Sequence, residues 1–398
     1  MNTLQKTSLA VGILLVLVGA IWFFQYRSSN DTLLPVSTGN GEVVPFLTVP
    51  EGFSATYYAK NIPKARVMEF VPGGMLVSQT PEGKVSLVEG DGTVTTLLSD
   101  LDAPHGLASR CDSEDVCDLY VATQSSLYRY TYHPRLKEAT KQTKLLSFDA
   151  SPGKDRHRTR TLMFLPAPHE NTLLISIGSS CDTCIEEGQY AKILSYDLLT
   201  EKVSTYATGL RNAVFMALHP VNGMVFATEM GRDGLGDTLP PDEVNIIDEG
   251  YGIPQDFGWP ICYGKNIHDT AFDKNTYIQN PCAHPMTMPS WFDLPAHVAP
   301  LGLSFIPEEG WPEDMWFDLL VAQHGSSSRS NPVGFKIVKV DINGKGQPGV
   351  PEDFVTGFRG PDGITHGRPV DVKVLPGGVV YISDDYAGAI YRIARTGE

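Results

Sequence analysis

A short pattern of alternating strands recurs six times along this chain, and it limits the possible folds more than any other feature of the sequence. Each copy has two strands around a turn or loop, followed by a third strand after a further connection. Outside residues 7–26, no segment keeps the apolar period of a helix. The pattern predicts an all-β protein. The predicted copies span residues 67–88, 106–130, 162–196, 215–247, 303–338 and 370–393.

Six consecutive units of this kind are typical of a six-bladed β-propeller, whose radial closure leaves no long sheet edge exposed. The segment 53–59 precedes the first unit, so we expect it to supply the outer strand of the last blade and close the ring. A pair of β-sandwiches is the alternative. We predict the propeller over residues 49–398, with an insertion at about 255–300 that lies over the axis and shapes substrate access. Functional residues should then lie near the axis, just before each inner strand.

The N-terminal segment predicts a membrane anchor. Residues 7–26 carry no charge, and their outer end holds a Trp-Phe-Phe cluster at 22–24. A helix of this length spans the hydrocarbon core of a bilayer, with aromatic rings at the interface. We predict an N-terminal transmembrane helix at 1–27 and a linker at 28–48, which place the propeller on the periplasmic or outer face of the cell membrane. A cleaved signal peptide is the alternative, although such peptides have a shorter apolar run and a small-residue cleavage site.

The chain contains 6 cysteines, and they fall into three local pairs. An even, locally paired set behind an export segment predicts disulfides and an oxidising compartment. The alternative for Cys181 and Cys184 is a zinc site, but one CxxC without a second pair or nearby histidines is a weak signal. The predicted disulfides join Cys111 to Cys117, Cys262 to Cys282 and, with a two-residue spacer that strains the bridge, Cys181 to Cys184.

The net charge of the chain and the positions of its cationic side chains indicate which classes of ligand it can bind. With 31 basic and 46 acidic residues the net charge is −15, so the chain lacks the basic face that a phosphate backbone requires, and we exclude nucleic acid as a partner. The residues ahead of the inner strands, by contrast, are cationic or amide side chains at one phase of the repeat. Such donors converging on an axis suit an anionic ligand. They are Arg66, His105, His157, Arg211, Asn212 and Arg368.

Several motifs in this order resemble the soluble quinoprotein sugar dehydrogenases, and in particular the L-sorbosone dehydrogenase-like branch. Gly-Leu-Arg-Asn at 209–212 and Phe-Ala-Thr-Glu-Met-Gly at 226–231 resemble the central signature of that family. Segments 157–162 and 176–180 resemble the part that carries its catalytic histidine. The resemblance covers roughly residues 50–395. Further matching segments lie at 233–243, 257–260, 324–336, 367–370 and 383–385.

The resemblance implies a six-bladed propeller that binds pyrroloquinoline quinone (PQQ) and calcium and oxidises an aldose or a related polyol or aldehyde. His157 would be the general base that removes the hydroxyl proton as hydride passes to the quinone. Arg211, the second catalytic residue, would hold the quinone carbonyls, and Asn212 the neighbouring ring edge. Lys336 and Arg368 would pair with the carboxylates of the cofactor, as a tricarboxylate requires.

The resemblance also places calcium on main-chain oxygens of Gly231 and Arg232, where a hard cation finds oxygen ligands and acts as a Lewis acid. His105 joins the cofactor-binding candidates because it precedes an inner strand. Ser179 stands where some members have a carboxylate that supports the histidine, so we expect His157 to be loosely oriented. Met230 replaces a polar residue near the cofactor.

The acidic, glycine-rich segment 233–243 has two interpretations. Asp237, Asp242 and Glu243 either bind a second, structural calcium ion or form a solvated acidic loop. In the insertion, we expect His284 and His297 to be surface residues.

We therefore predict a quinoprotein dehydrogenase with a small-molecule sugar or aldehyde substrate. Because the sequence has no CxxCH haem attachment motif, electrons must pass to a separate acceptor. Two alternatives remain: a calcium-dependent lactonase on the same propeller, with a metal-bound water, and a non-catalytic envelope propeller that binds a glycan or a protein.

Overall fold

The computed structural model describes residues 41–149, 156–248 and 254–396, which form a six-bladed β-propeller. In each blade, strands that follow one another in the chain also lie side by side and antiparallel. The first strands of neighbouring blades contact one another around the ring. The predicted architecture is confirmed, and the β-sandwich alternative is wrong.

The strands are numbered β1 to β27 in chain order, and β1 is Phe53–Lys60. Blade one holds β2 (Ala65–Val71), β3 (Gly74–Gln79), β4 (Lys84–Val88) and β5 (Val94–Leu98), and blade two holds β6 (Gly106–Cys111), β7 (Cys117–Ala122), β8 (Ser126–His133) and β9 (Glu138–Ser147). Blade three holds β10 (Arg160–Phe164), β11 (Thr172–Ile177), β12 (Lys192–Asp197) and β13 (Val203–Thr208), and blade four begins with β14 (Met216–Leu218), β15 (Val225–Glu229) and β16 (Asp242–Ile247).

The segment after β16 adds short strands at the rim. β17 (Gln255–Asp256) joins blade three in parallel, β18 (Cys262–Tyr263) and β19 (Ile267–His268) form a ribbon, and β20 (Phe292–Leu294) completes blade four. Blade five holds β21 (Pro300–Phe305), β22 (Leu319–Gln323), β23 (Lys336–Val340) and β24 (Glu352–Val355), and blade six holds β25 (Pro369–Leu375), β26 (Val379–Asp384) and β27 (Ala389–Arg395). Short 3₁₀ turns lie at Thr80–Glu82, Pro281–Ala283 and Glu313–Met315.

Strand β1 closes the ring, as predicted for segment 53–59. It pairs antiparallel with β27, with Phe53 opposite Arg395 and Lys60 opposite Ala389. The N-terminal strand is thus the outer strand of the last blade, and the two ends of the described chain hold each other in place.

The sequence pattern missed most outer strands of the blades. β9 is the clearest case, because most of its residues are exposed. A strand at the rim packs one face weakly and alternates little, so it gives no strong periodic signal. Strand β20 lies within the segment predicted as an insertion, so that segment supplies part of blade four.

Apolar side chains of adjacent blades pack into a common core. Leu76, Leu119 and Val321, from the second strands of three blades, are fully buried in one cluster. Burying a Leu or Val side chain contributes about 1.5–3 kcal/mol to stability. This packing fixes the loops that reach the axis.

All three predicted disulfides form: Cys111–Cys117, Cys181–Cys184 and Cys262–Cys282. With their sulfur atoms bonded to each other, Cys181 and Cys184 offer no thiolates to a zinc ion in this structure. The predicted anchor at 1–27 and most of the predicted linker lie outside the described residues. Within the described ranges, no helix is long and apolar enough to cross a membrane.

Candidate active site

A polar pocket of about 220 Å³ lies where loops of blades three, four and five meet. The loop before β10 brings His157 and the loop before β14 brings Arg211 and Asn212. Its other lining residues are Arg156, Met230, Gly231, Asp233, Asp242, His297, Ala299, Gly325, Ser326, Ser327 and Ser328.

Ser179 holds the ring of His157. Its Nδ1 lies 2.9 Å from the carbonyl oxygen and 3.0 Å from the hydroxyl oxygen of Ser179. A carbonyl oxygen only accepts, and the Ser179 hydroxyl donates to the carbonyl of Cys181 at 2.6 Å, so Nδ1 carries the proton and Nε2 has a free lone pair. Burial and then the Arg211 guanidinium lower the pKa of His157 to about 3. Ser179 thus supplies two acceptors for the ring, and the expectation that it orients His157 less firmly than a carboxylate would stays a prediction.

Arg211 is buried, and three of its nitrogens are paired. Nε donates to the carbonyl of Asp182 at 2.9 Å, Nη2 to the Oδ1 of the same residue at 2.6 Å, and Nη1 to the carbonyl of Met230 at 3.1 Å. Burial alone would raise the pKa of Asp182, but Arg211 and hydrogen bonds hold it below its usual value. The guanidinium is therefore fixed at the wall of the pocket.

Two glycines allow this close approach. Gly209, just before Arg211, has φ +68°, and a side chain there would collide with Asp256. A Cβ at Gly178 would lie 2.5 Å from the Oδ1 of Asn212 and 2.7 Å from the Cβ of His157. Glycine at 178 thus lets the two predicted site residues approach from different blades.

Two buried carboxylates accept hydrogen bonds from backbone groups of residues that line the pocket. Asp242 accepts from the backbone nitrogens of Gly231 at 2.8 Å and Ala299 at 2.9 Å, and burial raises its pKa to about 7. Glu229 accepts from the backbone nitrogen of Asn212 at 3.0 Å. Burial, followed by the charge of Glu243, raises the pKa of Glu229 well above its usual value.

The structure does not bring every predicted residue to this pocket. Lys336 begins the third strand of blade five, and its ammonium pairs with Asp353 on the fourth strand, so it faces the rim rather than the axis. His105 is fully buried beside Thr161, and burial lowers its pKa well below its usual value. Neither residue lines the pocket.

Arg368 lies next to the pocket without lining it. Its guanidinium donates to the carbonyl oxygens of His324, at 3.1 Å, and of Gly325, a lining residue, and it lies over the Phe335 ring.

The predicted second calcium site is not assembled. Asp242 and Glu243 are consecutive in β16, so their side chains point to opposite faces of the sheet. Asp237 accepts from the backbone nitrogen of Ser330 at 3.1 Å. Within the described ranges, these three carboxylates do not converge as ligands of one ion. The Arg232 side chain forms a bidentate ion pair with the buried Asp269, and Gly231 lines the pocket.

Sequence reasoning missed several lining residues. His297 was expected at the surface but is only 8% exposed, and its Nε2 contacts the carbonyl of Gly236 at 2.9 Å. His284, by contrast, is exposed as expected. Arg156, which precedes His157, pairs with Asp233. In the sequence, only the position of Arg156 next to the predicted base His157 indicates that it belongs to the site.

The donor set matches an anionic, carbonyl-bearing cofactor together with a hard cation. Two guanidiniums, an imidazole, an amide and serine hydroxyls suit carboxylates and quinone carbonyls. The carboxylates of Asp233 and Asp242 and the backbone at Gly231 offer oxygen atoms, the ligands that calcium prefers.

Fold and site together define a six-bladed propeller with a polar pocket where loops of blades three, four and five meet, lined by both guanidinium and carboxylate groups. The sequence model of the TrAA12-like family matches residues 47–396, and the chain belongs to that family. The relationship indicated by the motifs is therefore confirmed.

Known proteins of similar sequence or structure cover nearly the whole chain. An uncharacterized protein of Borreliella burgdorferi is 29% identical over 385 residues, which covers 93% of this chain and 97% of that protein. The Trichoderma reesei Carbohydrate-Active Enzymes Family AA12 structure has a TM-score of 0.74 at 22% identity, over 90% of this chain and 100% of that one. The holo form of the pyranose dehydrogenase PQQ domain from Coprinopsis cinerea also has a TM-score of 0.74, at 20% identity, over 89% and 99%. At these identities the likeness shows the fold.

Proposed function

We propose that this protein is a PQQ-dependent dehydrogenase that oxidises a hydroxyl group of a sugar, or of a related polyol or aldehyde. The observation that carries the proposal is the neutral His157, whose Nε2 is free beside the buried Arg211 in the axial pocket. Membership of the TrAA12-like family and the likeness to a pyranose dehydrogenase PQQ domain support it.

His157 accepts the hydroxyl proton of the substrate at Nε2. Its low pKa comes from burial and from Arg211, so the ring is neutral in the free protein. A bound anion would offset the part of this shift that comes from the charge of Arg211.

Arg211, Asn212 and Arg156 hold the anionic cofactor, and Arg368 supports the wall through the carbonyl of Gly325. The oxygens at Gly231 and Asp242 are the calcium ligands that the pocket offers. When bound, PQQ would accept two electrons from the substrate, and calcium would polarise a carbonyl group of the quinone.

The protein acts outside the cytoplasm, anchored by residues 1–27, and passes its electrons to a separate acceptor. Three disulfides support an oxidising compartment. Protease treatment of spheroplasts, which lack the barrier that shields a periplasmic protein, tests this with a cytoplasmic protein as control: digestion of the propeller is expected, and full protection contradicts it.

The activity test uses the purified full chain with PQQ, calcium and a redox dye against a broad panel of sugars. Dye reduction with at least one sugar is expected for the wild type and not for His157→Ala. Binding of PQQ without oxidation of any donor contradicts the proposed catalysis and favours a binding protein. Hydrolysis of a lactone without added PQQ favours a hydrolase.

A further inference from the structure

Segment 179–184, which contains the Cys181–Cys184 bridge, contacts both of the residues on which the proposed function depends, His157 through Ser179 and Arg211 through Asp182. Two of the three hydrogen-bonded nitrogens of Arg211 donate to one residue of this loop, Asp182. The carboxylate of Asp182 also accepts from the backbone nitrogen of Asp233 at 3.2 Å. Asp182 thus joins the loop to two parts of the pocket wall.

The first residue of segment 179–184 orients the histidine. Ser179 accepts from His157 Nδ1, and its hydroxyl donates to the carbonyl of Cys181 at 2.6 Å. The backbone nitrogen of Ser179 donates in turn to the carbonyl of Arg211 at 2.7 Å. His157 and Arg211 therefore share one support, segment 179–184.

A disulfide closes this support. The Cys181–Cys184 bridge leaves only two residues between its cysteines, so it restricts the backbone at Asp182. Both of its cysteines are partly exposed, whereas Cys117, Cys262 and Cys282 of the other two bridges are buried. Cys111 is partly exposed too, but its partner Cys117 is buried, so Cys181–Cys184 is the one bridge with both cysteines partly exposed.

We propose that Asp182 is a positioning residue for Arg211 and that the Cys181–Cys184 disulfide holds it in place, so that reduction of this bridge weakens cofactor binding. The inference rests on the proposed function. A dithiol supplies the two electrons: one of its thiolates attacks a bridge sulfur and forms a mixed disulfide, and its second thiol displaces the protein sulfur. The products are two cysteine thiols and one oxidised dithiol.

The first test measures the dissociation constant of PQQ, with calcium present, by calorimetry in the oxidised and the dithiol-treated full chain. Mass mapping after alkylation identifies which cysteines are reduced. We expect the dissociation constant to rise at least tenfold when Cys181 and Cys184 are reduced, and to recover on reoxidation. The double variant C181S/C184S should match the reduced protein, and C111S/C117S should match the wild type. An unchanged constant with Cys181 and Cys184 fully reduced overturns the proposal.

Variants at Asp182 separate positioning from charge. A positioning role predicts weaker PQQ binding in Asp182→Ala and partial rescue in Asp182→Asn, which keeps an oxygen acceptor for Arg211. A purely electrostatic role predicts the opposite, since removing a negative charge favours an anionic ligand, so tighter binding in both variants overturns the proposal.

Hydrogen exchange gives a readout that needs no cofactor. The backbone amides of Ser179 and Asp233 should exchange faster once Cys181 and Cys184 are reduced, because their acceptors lie on Arg211 and Asp182. Unchanged exchange overturns the proposal. If the oxidised protein does not bind PQQ at all, the proposed function fails, and this exchange experiment alone decides the role of the loop.

Discussion

The imidazole of His157 and residue Ser179 form a two-acceptor contact: Nδ1 lies 2.9 Å from the Ser179 carbonyl oxygen and 3.0 Å from its hydroxyl oxygen. A carboxylate orients a histidine through its charge, whereas this serine does so through geometry alone. The tautomer is fixed by these two acceptors, neither of which is a carboxylate.

Ser179→Ala should lower turnover modestly while leaving PQQ affinity unchanged. The variant keeps the carbonyl acceptor and loses two hydrogen bonds of the hydroxyl, one from His157 Nδ1 and one to the Cys181 carbonyl. The bond to the imidazole, worth about 0.5–1.5 kcal/mol, sets the expected loss at roughly two- to tenfold in rate. Steady-state kinetics at saturating PQQ and calcium measure the effect. A rate equal to that of the wild type would mean that the carbonyl alone orients the ring.

His157→Ala and Arg211→Ala should fail in different ways. Loss of a general base costs about 10²–10⁴-fold in turnover and little in cofactor affinity. Loss of a charged donor to the cofactor should raise its dissociation constant, by roughly 1.5–3 kcal/mol. Calorimetry and single-turnover dye reduction separate the two, and equal losses of binding in both variants would show that the roles are wrongly divided.

Gly178→Ala should push His157 and Asn212 apart. The added Cβ meets the Asn212 Oδ1 at 2.5 Å and the His157 Cβ at 2.7 Å, and overpacking of this kind costs about 1–3 kcal/mol. We expect a lower melting temperature together with weaker PQQ binding. Gly344→Ala is the matched control, since no atom lies within 4 Å of a Cβ there. Equal behaviour of the two variants would contradict the packing seen at Gly178.

His157 should make the free protein less stable in acid. Burial and Arg211 lower its pKa to about 3 in the folded state, so the unfolded chain binds a proton first as the pH falls. This loss of stability begins near the ordinary histidine pKa of about 6.5 and continues down to pH 3. By pH 5, the free energy of unfolding of the wild type should fall roughly 2 kcal/mol more than that of His157→Gln. Denaturant titrations of both proteins at pH 7.5 and pH 5 measure this difference. An equal fall in the free energy of unfolding of the two proteins would contradict the prediction.

The sequence predicted the inner strands of each blade better than the outer strands at the rim. Strands such as β3 and β22 are buried along their whole length, and their apolar runs between turns are visible in the residues alone. β9 is mostly exposed, so its pairing is decided by the neighbouring strand rather than by its own pattern.

The same distinction applies to the site. His157, Arg211 and Asn212 were predicted because they come just before or near inner strands, at one phase of the repeat. Asp182 and His297 lie in loops that cross to the axis, which only tertiary contacts reveal. Lys336 has the right charge, but two strands of its blade separate it from the axis.

Calorimetric titration of PQQ into the purified full chain, in the presence of calcium, tests the central claim most directly. We expect one PQQ per chain, loss of binding when calcium is chelated, and a dissociation constant that rises roughly tenfold or more in Arg211→Ala, as expected for a charged hydrogen bond. Absence of PQQ binding by the oxidised wild type, or equal binding by wild type and Arg211→Ala, would contradict the assignment of the axial pocket as a quinone site.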